Sequence, residues 1–238
     1  MGFGVTKELN GNKKEKRELP EIELKEYTNK YICLIAFIIC LGILLFGSKI
    51  ITEFWMLIVF YVVILSLMIG VFYKQLIHDF KIFKSYFKEY FVLILKTWGK
   101  ALVLIMITTI IIQIITHTTQ ANNQIALQNS FNSNPVFIAI LAMFYAPIAE
   151  ELMFRGVFRK FIKNKKLFVI VSGVVFGLMH VIDDSKTLAE FSYVFVYSIL
   201  GIYLAGIYAK TNNLCTNIFM HFMQNTLSVI GMILLMFM

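Results

Sequence analysis

The feature that most limits how this chain can fold is a succession of apolar runs. Seven of them, over residues 31–48, 54–73, 91–116, 135–158, 167–182, 191–209 and 214–238, are separated by charged or turn-rich segments. A helix needs about 20 mostly apolar residues to cross a bilayer, and helices and closed barrels are the structures that satisfy their own backbone groups there. The spacing predicts an all-α polytopic transmembrane helical bundle of about seven spans. The fifth run is short, and the third contains Lys96 and Lys100, which can snorkel toward the headgroups. With 59% hydrophobic and only 15% charged residues, the composition excludes a soluble globular domain and a disordered chain. Cys33, Cys40 and Cys215 lie in or beside apolar runs and read as packing residues rather than a disulfide framework.

Basic residues set the orientation, because those near span ends stay on the cytoplasmic side. Taking the connections in alternation puts seventeen Lys and Arg on the side of the N-terminus and two, Lys49 and Lys186, on the other. The expected N-terminus is therefore cytoplasmic. Residues 1–30 carry seven basic and six acidic groups and read as a solvated tail, neither a cleavable signal nor a polybasic lipid-binding stretch. Between the second and third runs, Leu76, Phe80, Phe83, Phe87 and Tyr90 recur at helical spacing beside Lys81, Lys84 and Lys88, which predicts one interfacial amphipathic helix. The formal charge of +8 reflects topology and anionic lipid and gives no reason to propose nucleic acid as a partner. Residues 117–134 read as a polar outer loop, ending in Asn134 as N-cap and Pro135 as first helical residue.

A few ionisable groups remain at membrane depth: Glu150, Glu151, Arg155, His180 and His221. Each charge at a helix centre costs about 2.5–3.5 kcal/mol on insertion scales, so their presence needs a reason. Glu151 and Arg155 are four apart and can pair along one face. Glu150 is rotated by about 100° and cannot share that partner in the same way. Pro147 removes an N–H and frees the carbonyl of Met143, so the helix can bend and admit water near Glu150. Gly156 offers a close-approach point. Gly173 and Gly177 form a small-residue face in the fifth run, and Gly201 and Ala205 another in the sixth. His221 and Asn225, four apart, project together. At about 1.5 Å per residue from the inner ends, Glu150, His180, His221 and Asn225 fall within about 10 Å of one level. A carboxylate, two imidazoles and an amide suffice to activate water and stabilise an oxyanion.

These residues read as EExxxR at Glu150–Arg155, FxxxH at Phe176–His180 and HxxxN at His221–Asn225, in that order on separate apolar segments. The pattern resembles the CPBP family of intramembrane proteases, which covers CAAX-processing endopeptidases and bacterial bacteriocin-processing and immunity (Abi) proteins. The motif-bearing resemblance covers roughly residues 135–230. Charge and hydropathy give a charged cytoplasmic tail at 1–30 and three N-terminal spans with the interfacial helix at 31–134, which match the family only in being hydrophobic; the resemblance implies a catalytic helical core at 135–238. It implies further that Glu150 and His180 activate the attacking water, that His221 and Asn225 stabilise the oxyanion, and that Glu151 and Arg155 support the site. The family has been described both as zinc metalloproteases and as glutamate-dependent proteases. With zinc, the ligands would be Glu150, His180 and His221. The metal-free reading, requiring no cofactor, is favoured, since there is no HExxH helix and an amide beside the second histidine suits hydrogen bonding.

Each motif alone has a plainer reading: a surface salt bridge for EExxxR, a satisfied buried histidine for His180, interhelical hydrogen bonding for His221 and Asn225. Their conjunction in order and at compatible depth favours the site. The expected activity is endopeptidase cleavage of a membrane-associated peptide or protein, in a bilayer that fits a bacterial plasma membrane. The alternative is a non-proteolytic bacteriocin-immunity or membrane scaffold protein of the same family. A transporter is disfavoured because no inverted repeat is visible. His78 and His117 have no partner in the motifs, and Asp183 and Asp184 read as a solvated acidic turn.

Overall fold

The computed structural model describes residues 18–47, 53–182 and 185–237; the first 17 residues of the tail, Lys49 and the Asp183–Asp184 turn lie outside them. Among the described residues every regular element is helical: α1 (Lys30–Gly47), α2 (Phe54–Ser85), α3 (Phe87–Thr116), α4 (Asn122–Ser133), α5 (Pro135–Phe161), α6 (Lys165–Met179), α7 (Leu188–Phe191), α8 (Val194–Thr211) and α9 (Leu214–Met236). Each of the seven apolar runs forms a helix. Among the described residues five helical stretches are long and apolar enough to cross a membrane: Trp55–Ser85, Phe87–Thr116, Pro135–Phe161, Leu188–Thr211 (α7 with α8) and Leu214–Met236. The chain is an all-α polytopic membrane bundle. Helix α6, with 15 residues, is about 22 Å long, short of the about 30 Å hydrocarbon core.

Two expectations are corrected. The stretch from Leu76 to Ser85 is no separate interfacial helix but the end of the 32-residue α2. Neither proline nor glycine interrupts residues 71–85, so the helix that leaves the span simply continues. Its aromatic face seats on α9, where Phe83 lies 5.8 Å from Phe219 between ring centroids. The polar segment before Pro135 is likewise largely helical, as α4. Its abundance of Asn and Gln hides an anchor: Phe131 is buried against Val229 and Met232 of α9. Asn134 does occupy the N-cap position with Pro135 beginning α5, but its side chain makes no cap hydrogen bond.

The small-residue faces bring α6 and α8 into backbone contact. A Cβ on Gly177 would lie 2.7 Å from the Ser198 nitrogen and 2.8 Å from the Val194 oxygen, and one on Gly201 would lie 2.6 Å from the Gly173 oxygen. These neighbours are backbone atoms of packed helices and cannot swing aside. Gly177→Ala is therefore expected to cost about 1–3 kcal/mol and lower the melting temperature in detergent. Gly206→Ala, on α8 with nothing within 4 Å of the new Cβ, is expected to leave it unchanged or raised. Equal melting of both variants would rule out this close approach. A Cβ on Gly156 would lie 2.8 Å from the ring of Phe72 on α2, a side chain rather than backbone.

The start of α9 is tied to α2. The Asp79 carboxylate, buried within the bundle, accepts from the Leu214 N–H at 2.9 Å, and Asn213 donates to the Asp79 carbonyl at 2.8 Å. Asn213 also caps its own helix by accepting from the Thr216 N–H. One of the orphan donors of the α9 N-terminus is thereby satisfied from another helix. Asp79→Ala should destabilise the fold by about 1–3 kcal/mol, the cost of an unsatisfied buried N–H. Hydrogen exchange at Leu214 is the local readout, and unchanged protection there would sever the proposed tie.

Candidate active site

Helix α5 is distorted where the chemistry-bearing residues lie. Two π-helical turns, Leu141–Tyr145 and Glu151–Val157, flank the α-helical turn Ala146–Glu150. The first follows from Pro147. The N–H of Ala146 bonds back five residues to the Leu141 carbonyl, and in that register the Ala142 carbonyl would need the N–H that proline lacks. Asn225 of α9 supplies it instead, donating Nδ2–H to the Ala142 oxygen at 2.8 Å. The orphaned carbonyl was expected at Met143, the α-helical partner of residue 147; the π-turn moves it by one residue.

The two adjacent glutamates have opposite surroundings. Glu151 and Arg155 are both completely buried and form an ion pair at 3.1 Å, as their spacing predicted. Glu151 also accepts from Asn217 Nδ2 at 3.2 Å and faces His221 Nδ1 at 2.9 Å. Arg155 donates from Nη2 to the Gly201 carbonyl at 2.9 Å, and its guanidinium lies 4.6 Å from the centre of the Phe176 ring. Burial of the Glu151–Arg155 pair is offset by partners on three other helices, α6, α8 and α9. Asn217 was not anticipated, although its place four residues before His221, on the same face, is the signal that could have found it.

Glu150 points the other way, into a cavity of about 490 Å³ whose lining includes His180, His221 and Asn225. Its Oε2 is buried without a hydrogen-bond partner and lies 3.9 Å from Nε2 of both His180 and His221. That separation is too long for a hydrogen bond and short enough for one water to reach both sides. Both rings are oriented. The Nδ1 of His180 lies 2.8 Å from the Phe176 carbonyl, which can only accept, so Nδ1 carries a proton. The Glu151 carboxylate sets the same tautomer in His221. When neutral, each ring therefore presents an unprotonated Nε2 toward Glu150, and when protonated an Nε2–H donor. The His180 ring is clamped between Phe176, at 4.3 Å, and Tyr197, stacked at 4.9 Å. Helix α6 ends at Met179, so His180 stands on irregular backbone lining a cavity, the setting in which such backbone is tolerated at membrane depth. The remaining histidines lie apart: His117 caps α3 in a left-handed conformation and His78 contacts Asp79.

Two imidazole nitrogens and a carboxylate oxygen are the donor types of a catalytic zinc site, and the outer bonds of both rings are those that zinc-bound histidines make. The spacing does not fit. A separation of 3.9 Å exceeds the about 3.3 Å between ligands of a tetrahedral zinc. Among the described residues no group of three His, Cys, Asp or Glu is gathered closely enough to hold an ion.

Comparison with known proteins singles out the same half of the chain. Residues 132–227 match the family model of type II CAAX prenyl endopeptidase Rce1-like proteins. The chain is 29% identical over 114 residues to a Bacillus subtilis protein named "Putative membrane peptidase YdiL", a match covering 47% of this chain and 43% of that protein. It is 26% identical over 127 residues to UPF0177 protein YvdC of Lactococcus lactis, covering 52% of this chain and 46% of the relative, and 34% identical over 76 residues to YxdF of the same species, covering 32% and 38%. Each match thus spans less than half the length of the curated relative. No solved structure matches. The matched segment holds all three helical motifs and the residues around the Glu150 cavity discussed above, and over that segment the chain is similar to Rce1-like type II CAAX prenyl endopeptidases.

Proposed function

We propose that this protein is an intramembrane endopeptidase of the bacterial plasma membrane that hydrolyses a peptide bond in a membrane-associated peptide or protein. The observation that carries the reading is the Glu150 carboxylate, buried on one oxygen without a partner and facing the Nε2 atoms of His180 and His221 at 3.9 Å. Insertion of an unpaired carboxylate at that depth is costly, and a role in proton transfer accounts for its retention.

In this mechanism a water between Glu150 and His180 gives a proton to Glu150 while its oxygen bonds to the scissile carbonyl carbon. His180 holds the water by accepting its second hydrogen at Nε2. The carbonyl π electrons move to oxygen, and the oxyanion takes hydrogen bonds from Nε2–H of His221, when that ring is protonated, and from the second Nδ2–H of Asn225. Glu150 then returns its proton to the leaving nitrogen as the C–N bond breaks. Glu151 acts through His221, holding the ring in place, and Arg155 pairs with Glu151. No step in this mechanism uses a metal. The excess of basic residues at one set of helix ends supports a cytoplasmic N-terminus.

The test compares membranes from cells carrying wild-type or Glu150→Gln protein by mass spectrometry of peptide termini. New termini that appear with wild type and vanish with the variant are expected. Identical terminus sets at equal protein levels would overturn the protease reading in favour of a binding or immunity role.

A further inference from the structure

The cavity that holds Glu150 takes in many residues besides the reacting groups, and the character of those walls is distinctive. From Glu150 it runs along one face of α9, past Gln224 and Ser228, to α4, which contributes Asn123 and Gln124. A second cavity of about 220 Å³ shares Gln124, Gln224 and Ser228 and continues to α3. Among the described residues, neither is lined by a lysine or an arginine, and Glu150 supplies the one acidic side chain. The nearby Arg155 is fully buried and committed to Glu151 and the Gly201 carbonyl.

What the walls offer instead is neutral hydrogen bonding. Trp98 Nε1–H donates to Gln224 Oε1 at 2.9 Å. An indole only donates, so the amide is held with its Nε2 hydrogens available to other acceptors. The Tyr145 hydroxyl, on the cavity wall, is buried with no hydrogen-bond partner. The buried, unsatisfied Tyr145 hydroxyl and the oriented Gln224 amide line the same cavity, and the hydroxyl carries a desolvation cost until a polar ligand pairs with it, which marks the place of a polar, uncharged ligand. An extended peptide backbone has this chemistry, and at low dielectric it needs its carbonyls and N–H groups paired.

A free α-carboxylate has no counterpart there. A CAAX substrate ends three residues after its modified cysteine, so with the C-terminal side of the substrate laid in this cavity its terminal carboxylate would sit about 10 Å from the scissile bond, without a cationic partner and repelled by Glu150. We propose that this cavity binds an uncharged, extended internal stretch of a polypeptide through Gln224 and Tyr145, and excludes a chain that ends within three residues of the cleaved bond. The inference rests on the endopeptidase reading and narrows its substrate to internal segments of membrane proteins or longer peptides.

The experiment maps termini dependent on Glu150 in membranes carrying the full chain, and repeats the comparison with Gln224→Lys, which places a cation on the cavity wall. Cuts more than about six residues from the substrate's C-terminus are expected with wild type. Fragments lacking only three C-terminal residues should appear at least tenfold more abundantly with the lysine variant. If Gln224→Lys fails to accumulate, Ser228→Lys, one turn further on the same face, replaces it. Wild-type cuts confined to the last three residues would overturn this inference and leave the protease reading standing, as would lysine variants that are folded yet give an unaltered cut pattern. Absence of any Glu150-dependent terminus would overturn both.

Discussion

Replacing Glu150 by glutamine is expected to slow cleavage by about 10²–10⁴-fold, the range that a positioned general base contributes, with the protein inserted and melting as the wild type does. Glutamine keeps the shape of the side chain and removes its ability to take a proton. The structural cost is small because Oε2 has no hydrogen-bond partner to lose and the side chain faces a cavity rather than packed neighbours. Turnover of an identified substrate by purified protein, with thermal unfolding in the same detergent, separates the two quantities. A folded Glu150→Gln protein within tenfold of the wild-type rate would remove Glu150 from the reaction. His180→Ala tests the partner, and its effect should not add to that of Glu150→Gln if both act on one water.

The neighbouring glutamate should behave in the opposite way. Glu151→Ala leaves the Arg155 guanidinium buried without its counter-charge and deprives His221 and Asn217 of their common acceptor. Breaking a buried ion pair from one side costs about 3–5 kcal/mol, a large part of the 5–15 kcal/mol by which a typical domain is stable. The expected result is loss of accumulated protein, or a melting temperature well below that of any variant at Glu150. Removing both partners as Glu151→Leu with Arg155→Met is expected to cost less than the sum of the single changes, because no isolated charge remains. The double variant should still fall short of wild type, since the Gly201 carbonyl and the His221 ring lose their partners. Wild-type stability of Glu151→Ala would show that the pair holds nothing together.

His221 joins these two environments. Its Nδ1 meets the structural carboxylate and its Nε2 faces the cavity carboxylate. A change at Glu151 that is mild enough to leave the protein folded, such as Glu151→Gln, should therefore still lower turnover by releasing the ring. Placed on one helix one residue apart, the two acids diverge because successive helical residues differ by about 100° in direction. One side chain enters the packed core and the other a cavity.

Much of this was legible in the linear sequence, for local reasons. A run of apolar residues long enough for a bilayer must become a helix, so the placement of the helices follows from hydropathy and length. The Glu151–Arg155 pair is a spacing of four on one helix, and the close approach at Gly173, Gly177 and Gly201 follows from the absence of side chains there. The extent of α2 and the helicity of α4 were misread because both depend on seats elsewhere in the bundle, Phe83 on Phe219 and Phe131 on Val229 and Met232. Partner choice across helices was decided only by the tertiary structure. His221 binds Glu151 through one nitrogen and faces Glu150 with the other, Asn217 joins them, and Asn225 satisfies a carbonyl displaced to Ala142 by a π-turn. Helical periodicity specifies which residues share a face; which face meets which, and with what orphaned group opposite, depends on packing that no single helix encodes.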